Sequence, residues 1–104
     1  MANPWRGEVS LVIDGQRHEA RLTLGALAEL EAAMGADSLV ALVERFEGNR
    51  FSSRDVLVLL LAGLRGGGVE MDVPTLEHAQ IEGGPMAAAR AAAELLARAF
   101  TVQT

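Results

Sequence analysis

The stretch FSSRDVLVLLLAGLRGGG, Phe51 to Gly68, decides how this chain folds. Ser52 stands where a helix N-cap belongs and Asp55 follows three residues later, a short-acid version of the capping box. Phe51 and Val56 flank that cap at the positions of a hydrophobic staple. Seven apolar residues then run unbroken from Val56 to Ala62. Arg65 falls in the last turn, where a cation suits the negative end of the helix dipole, and Gly66-Gly67-Gly68 stops the helix. A helix apolar all round belongs at the centre of a bundle. Any row of it left exposed would be an adhesive surface.

Upstream of this helix the hydrophobic period changes twice. Val9, Leu11 and Ile13 alternate with Ser10 and Val12, the period of a strand, and Asp14-Gly15 is a two-residue hairpin turn. The return strand is Gln16 to Leu22, with His18, Ala20 and Leu22 on one side. A lone hairpin is marginal in water, so it must pack on helices. From Thr23, a helix cap, the spacing of Leu24, Leu27, Leu30 and Met34 predicts a buried helical stripe closed by Gly35. A second helix starts near Asp37, buries Leu39, Leu42, Val43 and Phe46, and stops at Gly48-Asn49.

Downstream, Pro74 opens a short helix expected over Thr75 to about Glu82. Pro85 begins a last, Ala-rich helix of high intrinsic propensity. There Arg90, Glu94 and Arg98 form an i, i+4 charge ladder, opposite an apolar face of Met86, Ala89, Ala93, Leu96 and Phe100. The expected architecture is α+β and mainly α: one domain over 1–104, with an arm at 1–6, a β-hairpin at 7–22, and a bundle of four to five helices at 23–101. Trp5, in the arm, is placed to dock on the body.

The 104 residues suit one modest core, and 50% hydrophobic against 22% charged residues is a folded composition. A net charge of -5 argues against general nucleic-acid binding, which needs many phosphate-neutralising cations. Every basic side chain is Arg, which with the abundant Ala and Gly fits a GC-rich genome. Cysteine is absent, which removes disulfides and thiolate metal sites. No signal-peptide core and no run near the ~18 apolar residues of a membrane span are present. These features predict a soluble cytoplasmic protein without membrane or direct nucleic-acid partners.

Reactive chemistry finds little support. His18 and His78 lack partners at metal-ligand spacing. Glu29 and Glu31 are two apart and do not share a helix face. The three glycines follow a helix, whereas a phosphate cradle precedes one and needs a Lys that this chain lacks. Ser52 and Ser53 are accounted for by capping. No enzyme, cofactor or metal site is expected.

The order of these features resembles a known family. GEVSLVIDGQRHEARLTLGALAELEAAMG gives a hairpin leading into a helix that closes on Gly35. SLVALVERFEGNRFSSRDVLVLLLAGLRGGG adds the Ser-capped helix with its glycine stop, and a short helix and an Ala-Leu helix complete the pattern. The whole, from about Gly7 to Phe100, resembles the small tail protein of the gene transfer agents of alphaproteobacteria, phage-like particles that package host DNA. That family is described as a tail tube protein or placed among phage tail assembly chaperones.

The resemblance implies a non-enzymatic role in tail building. Foremost is a chaperone that holds the tape measure protein through an apolar helical surface. The candidate surface is Leu57, Leu60, Leu61 and Leu64 of the central helix with Met86, Leu95, Leu96 and Phe100 of the last one. The alternatives are a structural tail tube component, with tube proteins or further copies of itself as partners, or a small dimeric adaptor. A chaperone works in the cytoplasm; a tube component stays in the particle. A wall of closed β-sheet is not what one hairpin and several helices provide.

Overall fold

A computed structural model describes residues 7–34 and 39–100, without the Met34 side chain. The arm at 1–6, the Gly35 stop, the Asp37 cap and the chain end therefore lie outside the described residues. Two strands, β1 (Val9–Ile13) and β2 (Gln16–Ala20), precede α1 (Leu24–Met34), α2 (Leu39–Glu47), α3 (Ser53–Gly66), α4 (Val73–Glu77) and α5 (Gly84–Ala99). This is the expected hairpin followed by helices.

The hairpin forms as its turn chemistry requires. Asp14 and Gly15 both adopt positive φ, 50° and 81°, and β1 pairs antiparallel with β2 from Ile13↔Gln16 to Val9↔Ala20. Val9, Leu11, Ile13 and Ala20 are buried. The opposite face carries a polar cluster. The Ser10 hydroxyl donates to Glu19 (2.9 Å) and accepts from Arg17 (3.0 Å), and Arg17 pairs with Glu19 at 3.3 Å.

Helix α3 is the hub: it packs against α1, α4, α5 and β2. Residues Leu59 to Leu64 are all buried, which explains the unbroken apolar run. Neighbours cover the helix along that stretch, which leaves it no wet side to mark with charge, while Val56 to Val58 before it are half-buried. At about 1.5–3 kcal/mol for each fully buried leucine, it is a principal source of folding energy.

The N-terminus of α3 is held as its sequence requires. Ser52 Oγ accepts from the Asp55 N–H at 3.1 Å, and Asp55 Oδ2 accepts from the Ser52 N–H at 2.9 Å. Asp55 has a second task, since Arg45 of α2 grips both its oxygens at 3.0 and 3.1 Å. Phe51, expected to staple to Val56, has its ring stacked on Phe46, 4.5 Å apart and 5° from parallel. The cap of α3 is thus also the joint between α2 and α3.

Burial alone would push the Asp55 carboxyl up. The Arg45 hydrogen bonds, the Ser52 N–H and the Arg45 charge outweigh it and hold Asp55 below its ordinary value of 3.8. A depressed carboxyl stabilises the fold above its unfolded value, and that contribution is lost as pH falls through the folded value. Urea denaturation should therefore show wild type losing stability below about pH 3.8 more steeply than Asp55→Asn. Ser52→Ala should cost about 1 kcal/mol at neutral pH. Parallel acid profiles for wild type and Asp55→Asn would remove the Asp55 account.

Three expectations shift in the structure. Leu24, placed in the buried stripe of α1, is 85% exposed, and Ala26 is buried with Leu30 in its stead. The phase follows a close approach, because Ala26 lies against Gly66 of α3. On α5 the buried face is Ala88, Ala91, Ala92, Leu95 and Leu96. Met86 (72% exposed) and Phe100 (51%) are outside it. An alanine helix carries few large side chains to announce its phase, and here Leu95 seated on Gly63 sets it.

The third shift concerns the short helix, which runs Val73–Glu77 and not on to Glu82. Asp72 caps it by accepting from the Thr75 N–H at 3.0 Å. The Thr75 hydrogen bonds, side-chain then backbone, hold the Asp72 carboxyl below its ordinary value. Beyond His78 the chain turns extended, and Ile81 pairs with Ile13 as a β-bridge. Pairing with β1 satisfies backbone groups that another helical turn would otherwise have used.

Candidate functional site

The hub helix is covered on most sides, and its N-terminal half borders an open groove of about 920 Å3. Val56, Leu57 and Leu60 of α3 face it together with Leu76 of α4 and Ala88 of α5. The end of β1 and the extended segment around Ile81 close one side. Two backbone bonds hold that side, Asp14 N–H to the Gln80 carbonyl (2.8 Å) and Glu82 N–H to the Val12 carbonyl (2.9 Å). The Asp14 carboxylate also accepts from the Gln80 N–H at 2.8 Å. The groove walls are therefore built by the hairpin turn and by the extended segment that the sequence had suggested was helical.

The proposed contact residues separate into two groups. Leu60, Leu61, Leu64, Leu95 and Leu96 are buried in the chain's own core, at 5% exposure or less. Leu57 is half-buried and packs on that core, and with Leu60 it lines the groove. Met86 and Phe100 are exposed and lie outside the groove lining. The apolar supply in α3 thus mostly makes the fold, and only the Leu57 end of it reaches a surface.

Sequence reasoning missed the groove's acidic rim. Asp14, Glu77 and Glu82 are exposed along it, with Arg54 the single cation among its lining residues. Asp14 was read only as a turn former, and Glu77 and Glu82 only as residues of the short helix. The rim appears once Ile81 is paired with β1, a contact between residues 68 positions apart that no local pattern announces.

The two histidines and the charge ladder singled out in the sequence lie outside the groove lining. His18 is half-buried in β2, and His78 forms the exposed C-cap of α4. Among the described residues no group of three or more His, Asp and Glu is gathered as a metal site would require. No described helix is long and apolar enough to cross a membrane. Of the charge ladder on α5, Glu94 pairs with Arg98 at 3.1 Å, and Arg98 also donates to the Glu8 carbonyl, tying α5 to the start of the hairpin. Arg90 is exposed.

The glycine run also has a structural task. Gly66 and Gly67 lie against the β2 end of the hairpin, where a Cβ on either would collide with the carbonyl oxygens of Arg21 and Glu19 respectively. Both carbonyls belong to the backbone, so this is a docking surface for the hairpin and not an anion cradle.

No curated protein and no solved structure matches the chain. A family profile described as "Phage tail tube protein, GTA-gp10" matches residues 6–102, nearly its whole length. With the hairpin, the capped hub helix and the alanine helix in the order the resemblance called for, the chain belongs to this gene transfer agent tail family, and its role is a structural one in the tail.

Proposed function

We propose that the chain is a component of the tail tube of a phage-like gene transfer particle, held there by protein–protein contacts with further copies and with neighbouring tail proteins. The family match over residues 6–102 carries this reading, and it favours the tube over the chaperone role drawn first from the resemblance. The described surface supports a contact role, since it offers an apolar groove and four exposed large hydrophobic residues, Leu24, Val40, Met86 and Phe100.

The chaperone reading, with the tape measure protein as client, keeps one observation in its favour. The described residues contain a single two-stranded sheet, and a channel wall of closed β-sheet needs more strands than that. Contacts of this chain with further copies would therefore run through helix faces, and the groove is left for a neighbouring tail protein.

Quantitative mass spectrometry of purified particles, with electron microscopy of their tails, separates the two. A tube component is expected in many copies, with density repeating along the tail. Its absence from purified particles, together with its presence in lysates of assembling cells, would reject the tube and leave the transient assembly role.

A further inference from the structure

The groove has a polarity that selects its occupant. Its floor is aliphatic, from Val56, Leu57, Leu60 and Leu76. Its rim holds three exposed carboxylates, Asp14, Glu77 and Glu82, against Arg54. Among the described residues, Asp14 is engaged by a backbone N–H only, and Glu77 and Glu82 have no cationic partner. The rim therefore offers uncompensated negative charge beside apolar surface.

The backbone bordering the groove restricts the mode of binding. The outward groups of Val12 and Asp14 are already bonded to Glu82 and Gln80, so an incoming peptide cannot extend the hairpin there as a strand. Side chains must enter from a segment that satisfies its own backbone, which is what an amphipathic helix does. The geometry points to an amphipathic helix of a partner tail protein, with aliphatic residues on one face and Arg or Lys flanking them, as the ligand of this groove.

This rests on reading the chain as an assembly protein, and it names the chemistry of what the groove receives. The aliphatic floor supplies affinity. The acidic rim supplies orientation, discrimination against acidic helices, and salt sensitivity. The chain's own charge of -5 disfavours a second copy as the occupant.

The test uses the full chain, isotopically labelled, titrated with two synthetic amphipathic helices that share a leucine stripe and differ only in Arg or Glu flanks. The Arg-flanked helix should bind about tenfold more tightly at low salt. It should move the amide resonances of Val56 to Leu60, of Ile81 to Gly84 and of Ala88. The double variant Glu77→Arg, Glu82→Arg should reverse the preference; both positions are exposed, and circular dichroism checks its fold.

Three results would overturn the proposal: no binding by either helix, equal binding by both, or shifts mapping away from the groove. A doubled mass in the absence of peptide, with the same resonances changing on dilution, would show a second copy in the groove and also overturn it. The copy number in particles is a separate readout. Absence from particles rejects the tube reading while groove binding stands, and failed peptide binding leaves that copy number unchanged.

Discussion

Replacing Gly67 with alanine is expected to destabilise the protein by about 3 kcal/mol, the upper part of the usual overpacking range. For a domain of this size that lowers the melting temperature by about 15 °C. The cause is not the dihedral angle, since Gly67 has a φ of -85° that any residue adopts. The obstacle is the Glu19 carbonyl oxygen, which occupies the space of the missing Cβ. Gly66 meets the Arg21 carbonyl in the same way. Because the Arg21 N–H donates to the Gly63 carbonyl at 2.8 Å, backing away would break the bond that fastens the hairpin to α3. Gly68 provides the control. Its φ of 91° strains an L-residue, but a Cβ there meets nothing within 4 Å, so Gly68→Ala should cost about 1–2 kcal/mol. Urea and thermal unfolding of the two variants check this. If Gly67→Ala is no worse than Gly68→Ala, the hairpin does not dock by backbone contact.

Elements whose signal is local were legible in the sequence. Asp14-Gly15 specifies its turn through φ, and Ser52 with Asp55 specifies a cap through two hydrogen bonds spanning three residues. The apolar run of α3 foretold its central place, because only a helix surrounded by neighbours can be apolar on every side. Helical phase was not legible where side chains are small or evenly distributed. Leu24 satisfies the spacing of a buried stripe but lies outside, because Ala26 is the residue that fits beside Gly66. On α5, Met86 and Phe100 were the largest apolar residues of the expected face, and both are exposed.

The candidate site was less legible than the fold for a related reason. Residue type cannot separate core from contact surface, since both use leucine. Of the eight residues proposed to meet a partner, Leu60, Leu61, Leu64, Leu95 and Leu96 are consumed by the core, and only Leu57 and Leu60 face the groove. The specificity of that groove resides in carboxylates brought together by the Ile13–Ile81 bridge, a long-range pairing without a sequence signature. The glycine run reads as the stop of α3, and Gly67 is its C-cap. What no local pattern announced is that Gly66 and Gly67 also let the hairpin backbone approach the helix.

Leu95 and Gly63 should behave as one unit in a double-mutant cycle. Leu95 is fully buried, so Leu95→Ala is expected to cost about 3 kcal/mol, through lost apolar transfer and the cavity left behind. Gly63→Ala acts in two directions. It gains about 1 kcal/mol of helix propensity, but its Cβ would lie 2.7 Å from Leu95 Cδ1 and 3.3 Å from Ala20 Cβ. The first contact is too short to survive, so the single variant should lose about 1–2 kcal/mol net. In the double variant the shortened side chain at 95 removes that contact, the new methyl fills part of the cavity, and the propensity gain remains. The pair should therefore be more stable than the sum of the single losses by about 1–2 kcal/mol, a coupling of the size expected for residues in direct contact. Leu24→Ala, at 85% exposure, should change stability by less than about 0.5 kcal/mol and sets the scale for a leucine outside the core. Additive losses in the cycle would mean that α5 does not take its phase from the Gly63 contact.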